Sequence, residues 1–135
     1  MEMDELIHKL KSLQKIDHDA MQSYDKILEK VQDNEIRHHI FQFREDHKRH
    51  IYSISDLLRT MSEEPSSYFP DFMGTFLKEI TAIEGNMGTE HQLKALERGE
   101  RMTNDEYSKA DLWFVDPKIH ELLSANYQDE RRHIT

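Results

Sequence analysis

Asp46-His47-Lys48-Arg49-His50 is the stretch on which the reading of this chain turns. Side chains three apart lie on one face of a helix, so His47 and His50 point the same way. A second stretch, Asp129-Glu130-Arg131-Arg132-His133, does the same with Glu130 and His133. Each offers two donor groups to one point, with an aspartate just before them. A pair of metal ligands needs this spacing, and few other functions do.

The two stretches belong to a longer repeat. Residues 8–52 align without a gap on residues 91–135, an offset of 83, and 12 of the 45 pairs are identical. Ordinary compositions give roughly three identities by chance. Among the identities are Tyr24/Tyr107, Asp46/Asp129, Arg49/Arg132 and His50/His133. The same offset sets Asp17 against Glu100 and His47 against Glu130. A repeat of this length reads as a helical hairpin used twice.

Composition narrows the classes. A chain of 135 residues suits a single domain with a real core, here 1–135. With no cysteine there is no disulfide framework, thiolate metal site or thiol chemistry. No apolar run is long enough to span a membrane, so no membrane partner is expected. A net charge of −9 argues against nucleic acid as a partner. The acidic start, Met1 to Glu5, lacks a signal-peptide charge pattern, which points to the cytoplasm. Four glycines, three prolines and 33% charged residues fit a helical bundle.

Periodicity predicts an all-α fold. A first helix, about 4–31, carries Leu6, Leu10, Leu13, Asp17, Ala20, Tyr24, Ile27 and Val31 at spacings of three and four. Asp33 reads as the cap of a second helix to about 61, with Ile36, Ile40, Phe43, His47, His50, Ile54, Leu57 and Leu58 on one face. Residues 62–88 form a long crossover holding a short extra helix, about 71–84, with Phe72, Phe76, Ile80 and Ile83, and then a turn over 84–88. A third long helix starts at a Thr89 cap and runs to about Leu112, with Leu93, Leu96, Glu100, Thr103 and Tyr107 on one face. Asp116 caps the fourth and Pro117 opens it, with Ile119, Leu122 or Leu123, Asn126, Glu130 and His133 in its stripe. The hairpins, about 4–61 and 89–135, are thus joined by the crossover.

Each long helix carries polar residues in the middle of an apolar stripe: Asp17, His47 with His50, Glu100, and Glu130 with His133. A carboxylate from each of two helices and an i, i+3 pair from each of the others is the layout of carboxylate-bridged dimetal bundles. Oxygen and imidazole donors without thiolate suit iron, manganese or zinc. Burying several carboxylates without a cation is costly, which is the physical reason to invoke a metal. Tyr24 and Tyr107 read as core residues whose hydroxyls reach carboxylates. His8, His18, His38, His39, His91 and His120 lack partners at ligand spacing, and most of them read as solvated. A hemerythrin-type ligand set is excluded, because no histidine has His or Glu four residues on, or Asp five on.

On these residues the chain resembles the ferritin-like superfamily. Asp129-Glu130-Arg131-Arg132-His133 is similar to that superfamily's Asp-Glu-x-Arg-His motif, and Asp46–His50 is a variant of it. Gly99-Glu100 followed by Tyr107, with Asp17-His18 followed by Tyr24, resembles a small bacterial family of ferritin-like domains without assigned function. The resemblance implies a ferritin-like four-helix bundle holding iron, one or two ions, or manganese or zinc, through Asp17, His47, His50, Glu100, Glu130 and His133. It gives Asp46 and Asp129 the task of holding ligand histidines, consistent with the need to fix the other N–H of a ligating imidazole. The chain departs from the pattern at Asp17, one methylene shorter than the usual Glu, and at His47, where a bridging Glu is usual. Neutral imidazole has one lone pair and cannot bridge, so the expectation is one firmly held metal or an asymmetric pair bridged through Glu130.

By the same resemblance the chemistry is Fe(II) oxidation by peroxide or oxygen, or peroxide reduction, in stress protection, in a monomer or homodimer. The sequence names no catalytic residue. The competing expectation is a non-catalytic bundle, a structural or partner-binding module whose buried polar cluster fixes packing.

Overall fold

The computed structural model describes residues 2–63, 74–82, 89–113 and 115–133. Within them the apolar stripes become five helices: α1 Met3–Leu28, α2 Asn34–Thr60, α3 Thr75–Ala82, α4 Thr89–Ala110 and α5 Pro117–His133. The four long ones form an all-helical bundle, with short α3 between α2 and α4. No described helix is long and apolar enough to cross a membrane. The connection over 64–70, Phe72, Ile83 and the 84–88 turn lie outside the described residues.

Local chemistry sets the helix ends. Asp33 caps α2, its side chain accepting from Ile36 N–H at 3.0 Å. Asp116 does the same ahead of Pro117, accepting from Lys118 N–H at 2.8 Å. The first helix stops at Leu28, three residues short of the expected end, and Arg37 of α2 reaches back to the Leu28 carbonyl and to the Val31 carbonyl at 2.9 Å. Val31 stays buried all the same. The last turn of α4 likewise closes at Ala110 rather than Leu112. Beyond α2, Ser62 takes φ 58°, Ser62 N–H reaches the Arg59 carbonyl and Glu63 N–H the Leu58 carbonyl. This is a Schellman end with serine in the left-handed position that glycine normally fills.

Cross-helix contacts give the bundle its directions. Along α1, Gln14 meets Ile51 and Tyr24 meets His47, so α1 and α2 run antiparallel. Tyr24 lies against Glu100 and Asp17 against Tyr107, so α1 and α4 are antiparallel too. So are α2 and α5, where Asp46 meets His133 and His50 meets Asp129.

The core has two apolar ends. One gathers Ala20, Tyr24, Ile27, Val31, Ile40, Phe76, Ile80, Ala95 and Leu96. The other gathers Leu6, Leu10, Leu13, Ile54, Leu58, Tyr107, Ala110 and Leu123. Fully burying one such large side chain is worth about 1.5–3 kcal/mol, and these ends hold the bundle shut around the polar layer between them. The short helix α3 packs on α1 and α4 at the first end only. Gly99 makes its approach possible: a Cβ there would come within 2.3 Å of the Phe76 ring. The helix propensity lost at Gly99 is therefore offset by packing.

Candidate metal centre

Asp17 of α1 faces α2, α4 and α5 together because it sits between Leu13 and Ala20 on the buried stripe, and no solvent reaches it. One of its oxygens lies 2.7 Å from His47 Nδ1 and 3.3 Å from His50 Nδ1. The other accepts from the Tyr107 hydroxyl at 2.6 Å. Glu130 approaches from α5, with Oε1 3.3 Å from His47 Nδ1 and 3.2 Å from His50 Nδ1. Asp17, His47, His50 and Glu130 each contribute one donor atom to a group whose atoms all lie within 4.8 Å of one another. All four are buried.

The other two expected ligands adjoin this group. His133 Nδ1 stands 3.5 Å from Glu130 Oε2, and Glu100 accepts from the Tyr24 hydroxyl at 3.3 Å. Glu130 therefore shows one oxygen to the two α2 imidazoles and the other to the imidazole of its own helix. Both oxygens are fully buried, and no hydrogen bond among the described residues reaches either. Three imidazole nitrogens stand at ion-pair distance yet are not aligned as donors. His133 Nδ1 is likewise buried without a hydrogen bond.

Asp46 and Asp129 lie on the outer side of the histidines, and they cross. Asp129 of α5 sits 3.0 Å from Nε2 of His50 on α2, and Asp46 of α2 sits 2.8 Å from Nε2 of His133 on α5. Each hairpin thus orients the imidazole of the other. With Nε2 turned outward to these carboxylates, Nδ1 is the nitrogen that faces the centre. Arg49 pairs with Asp46 and lies 3.4 Å from Asp129, while Arg132 pairs with Asp129. His47 has Tyr24 as its outer partner, at 3.2 Å from Nε2.

These contacts set the charge state. Burial works against a charged His50, but the carboxylates of Asp129, Asp17 and Glu130 beside it outweigh burial and push its pKa up to about 11. Burial likewise opposes charge on His133, and Glu130 and Asp46 still raise it. Burial would raise Asp129, yet His50 and Arg132 hold it down to about 2. Glu130 is held well below the usual carboxylate range by its imidazole neighbours despite burial. Glu100 goes the other way: burial first, then the Glu130 charge, pushes it up to about 8. Tyr24 and Tyr107 are driven well above the usual phenol range by burial and by Glu100 and Asp17 respectively.

Some polar residues of the bundle interior had little or no signal in the sequence. Gln14 is buried and donates to the Ile51 carbonyl at 3.1 Å and Ser55 Oγ at 2.8 Å. Asp19 lies off the main stripe, yet it is buried and accepts from Phe76 N–H at 3.1 Å and Leu77 N–H at 3.0 Å, tying α3 to α1. Gly74 leaves room for that carboxylate, since a Cβ there would meet it at 2.2 Å. Asn126, visible as a polar break in the α5 stripe, lies against Ser53 and Tyr107. His18, expected among the solvated histidines, is half-buried.

A family model described as a domain of unknown function, DUF2383, matches residues 5–111. The match spans α1 to α4 and stops before α5, so Glu130 and His133 lie beyond it. No curated protein and no solved structure matches the chain.

Proposed function

The chain belongs to that family of domains of unknown function, and from this premise we propose that it is a metal-binding protein of ferritin-like type, its centre built on Asp17, His47, His50 and Glu130 and extended by His133 and Glu100. The observation that carries the reading is Glu130: a carboxylate with both oxygens buried, no hydrogen bond to either among the described residues, and three inward Nδ1 atoms at 3.2–3.5 Å. An unsatisfied buried carboxylate costs several kcal/mol, roughly, unless something charged meets it. A divalent cation within the Asp17, His47, His50 and Glu130 group would satisfy all four at once.

The donor set fits the group. Oxygen and nitrogen ligands suit iron, manganese or zinc. Asp17, His47 and His50 would hold the first ion with Glu130 Oε1, while Glu130 Oε2, His133 and Glu100 offer a second, less gathered position. When bound, iron would supply one-electron chemistry toward peroxide or oxygen. The protein's own part is to orient the imidazoles through Asp46, Asp129 and Tyr24, and to keep water from Asp17 and Glu130.

A second reading rests on His50. With a pKa near 11 it carries a proton at neutral pH in the metal-free protein, and that cation partly neutralises Asp17 and Glu130. A structural bundle with a protonated ionic layer satisfies the same contacts. Elemental analysis of protein purified without chelator, with a visible spectrum and melting curves with and without Fe(II), Mn(II) and Zn(II), separates the two. Stoichiometric metal and a raised melting temperature are expected, because a ligand of the folded state stabilises it. Metal-free protein whose melting ignores all three ions would leave the structural reading standing.

A further inference from the structure

The 83-residue repeat keeps carboxylate or imidazole at every position facing the centre, and it changes chemistry beside them. Phe43 of α2 corresponds to Asn126 of α5. Asn126 is buried, its amide donates to Ser53 Oγ at 3.4 Å, and it lies beside Tyr107. Phe43 has no polar atom to hold it. Half-buried, it stacks on the His133 ring, centroids 4.3 Å apart and planes at 28°.

Behind His133 lie Glu130 Oε2 at 3.5 Å and the His47 ring at 5.3 Å. In front of it, Phe41, Gln42, Phe43, Glu45, Asp46, Arg132 and His133 line a surface groove of about 450 Å³. Phe43 and His133 thus both border the groove, and Glu130 lies behind His133. Resting on the metal-binding reading, we propose that Phe43 is the gate by which metal ions reach the centre, entering from this groove. An aromatic stack is a weak interaction, so swinging the ring away costs little, whereas moving Asn126 breaks its hydrogen bond to Ser53. Asp46 still fixes His133 through Nε2 when the ring moves, so ligand geometry survives opening.

A gate changes rates in both directions and leaves affinity alone. Stopped-flow uptake of Co(II) by metal-free protein, with removal by EDTA, reads both. Phe43→Ala should speed uptake and removal alike, by about tenfold, with an unchanged dissociation constant. Phe43→Trp should slow both, and Phe43→Leu, which keeps an apolar filling, should fall between parent and Phe43→Ala and serves if the alanine form folds poorly. Faster removal alone, with weakened binding, would mean that Phe43 merely orients His133 and would overturn the gate. Unchanged rates in all three variants would place the route elsewhere. A parent that takes up no Co(II) would overturn the metal-binding reading itself, a failure visible before any variant is made.

Discussion

The two hairpins supply matching residues to the centre and use them unequally. From α1 and α2 come Asp17, His47 and His50, all drawn together with Glu130. From α4 and α5 come Glu100, Glu130 and His133, of which only Glu130 joins that group. The difference starts from two substitutions across the repeat. Aspartate at 17 is short and is held by Tyr107 at 2.6 Å, while the longer Glu100 leans to Tyr24 at 3.3 Å. Imidazole at 47 can approach both Asp17 and Glu130, where a second carboxylate would be repelled. A duplicated scaffold can thus keep its outer supports symmetric and still make one side tighter.

The comparison breaks most completely at Glu130, which serves both sides. Glu130→Ala should abolish metal binding in calorimetric titration.

Next in size is the response to pH. His50 must lose its proton to ligate, and the metal-free protein holds that proton up to about pH 11. Metal affinity should therefore rise about tenfold per pH unit through neutrality, with one proton released per ion, seen as a buffer-dependent heat. Metal-free stability has a different window. The His50 contribution is fully present below its unfolded pKa near 6.5 and is lost as pH rises through about 11. Asp129 contributes above its unfolded pKa near 3.8, and its share is lost as pH falls through about 2. Both describe the same His50–Asp129 pair, so the stabilisation counts once.

Asp129→Asn and Asp46→Asn test the crossed supports. Losing the carboxylate behind a ligand imidazole costs about 10–100-fold in metal affinity. Asp129→Asn should weaken the first equivalent, since it backs His50. Asp46→Asn should leave the first equivalent close to the parent and weaken a second, since it backs His133. Equal losses on the first equivalent would show that the two sides act as one.

The smallest effect should come from making the halves alike. His47→Glu restores a fourth carboxylate that can bridge, and should tighten a second metal equivalent by roughly tenfold. Two equal sites in the parent, weakened by the variant, would show that His47 already serves both.

Much of this was legible from local pattern. A helix repeats every 3.6 residues, so the stripes placed Asp17, His47, His50, Glu100, Glu130 and His133 on buried faces before any packing was known. Capping at Asp33 and Asp116 is equally local. The sequence also marked both tyrosines as reaching carboxylates, since each follows a carboxylate by seven residues, two turns on. The structure adds that Tyr24 reaches the opposite hairpin's Glu100 and fixes Tyr107 on the opposite hairpin's Asp17. That depends on the axial register of antiparallel neighbours, which packing at the apolar ends sets and no intrahelical period encodes.

The crossed Asp46–His133 and Asp129–His50 pairs, the outlying place of Glu100 and His133, and the stack of Phe43 on His133 have the same origin. Asp19 is the plainest case: an off-stripe carboxylate becomes buried because the backbone N–H groups of Phe76 and Leu77, 57 and 58 residues on, come to it. Sequence determined which faces would meet and what chemistry they carry, because periodicity is a property of one helix. Tertiary structure decided which atoms touch, because that distance is fixed only when several helices settle their heights against one another.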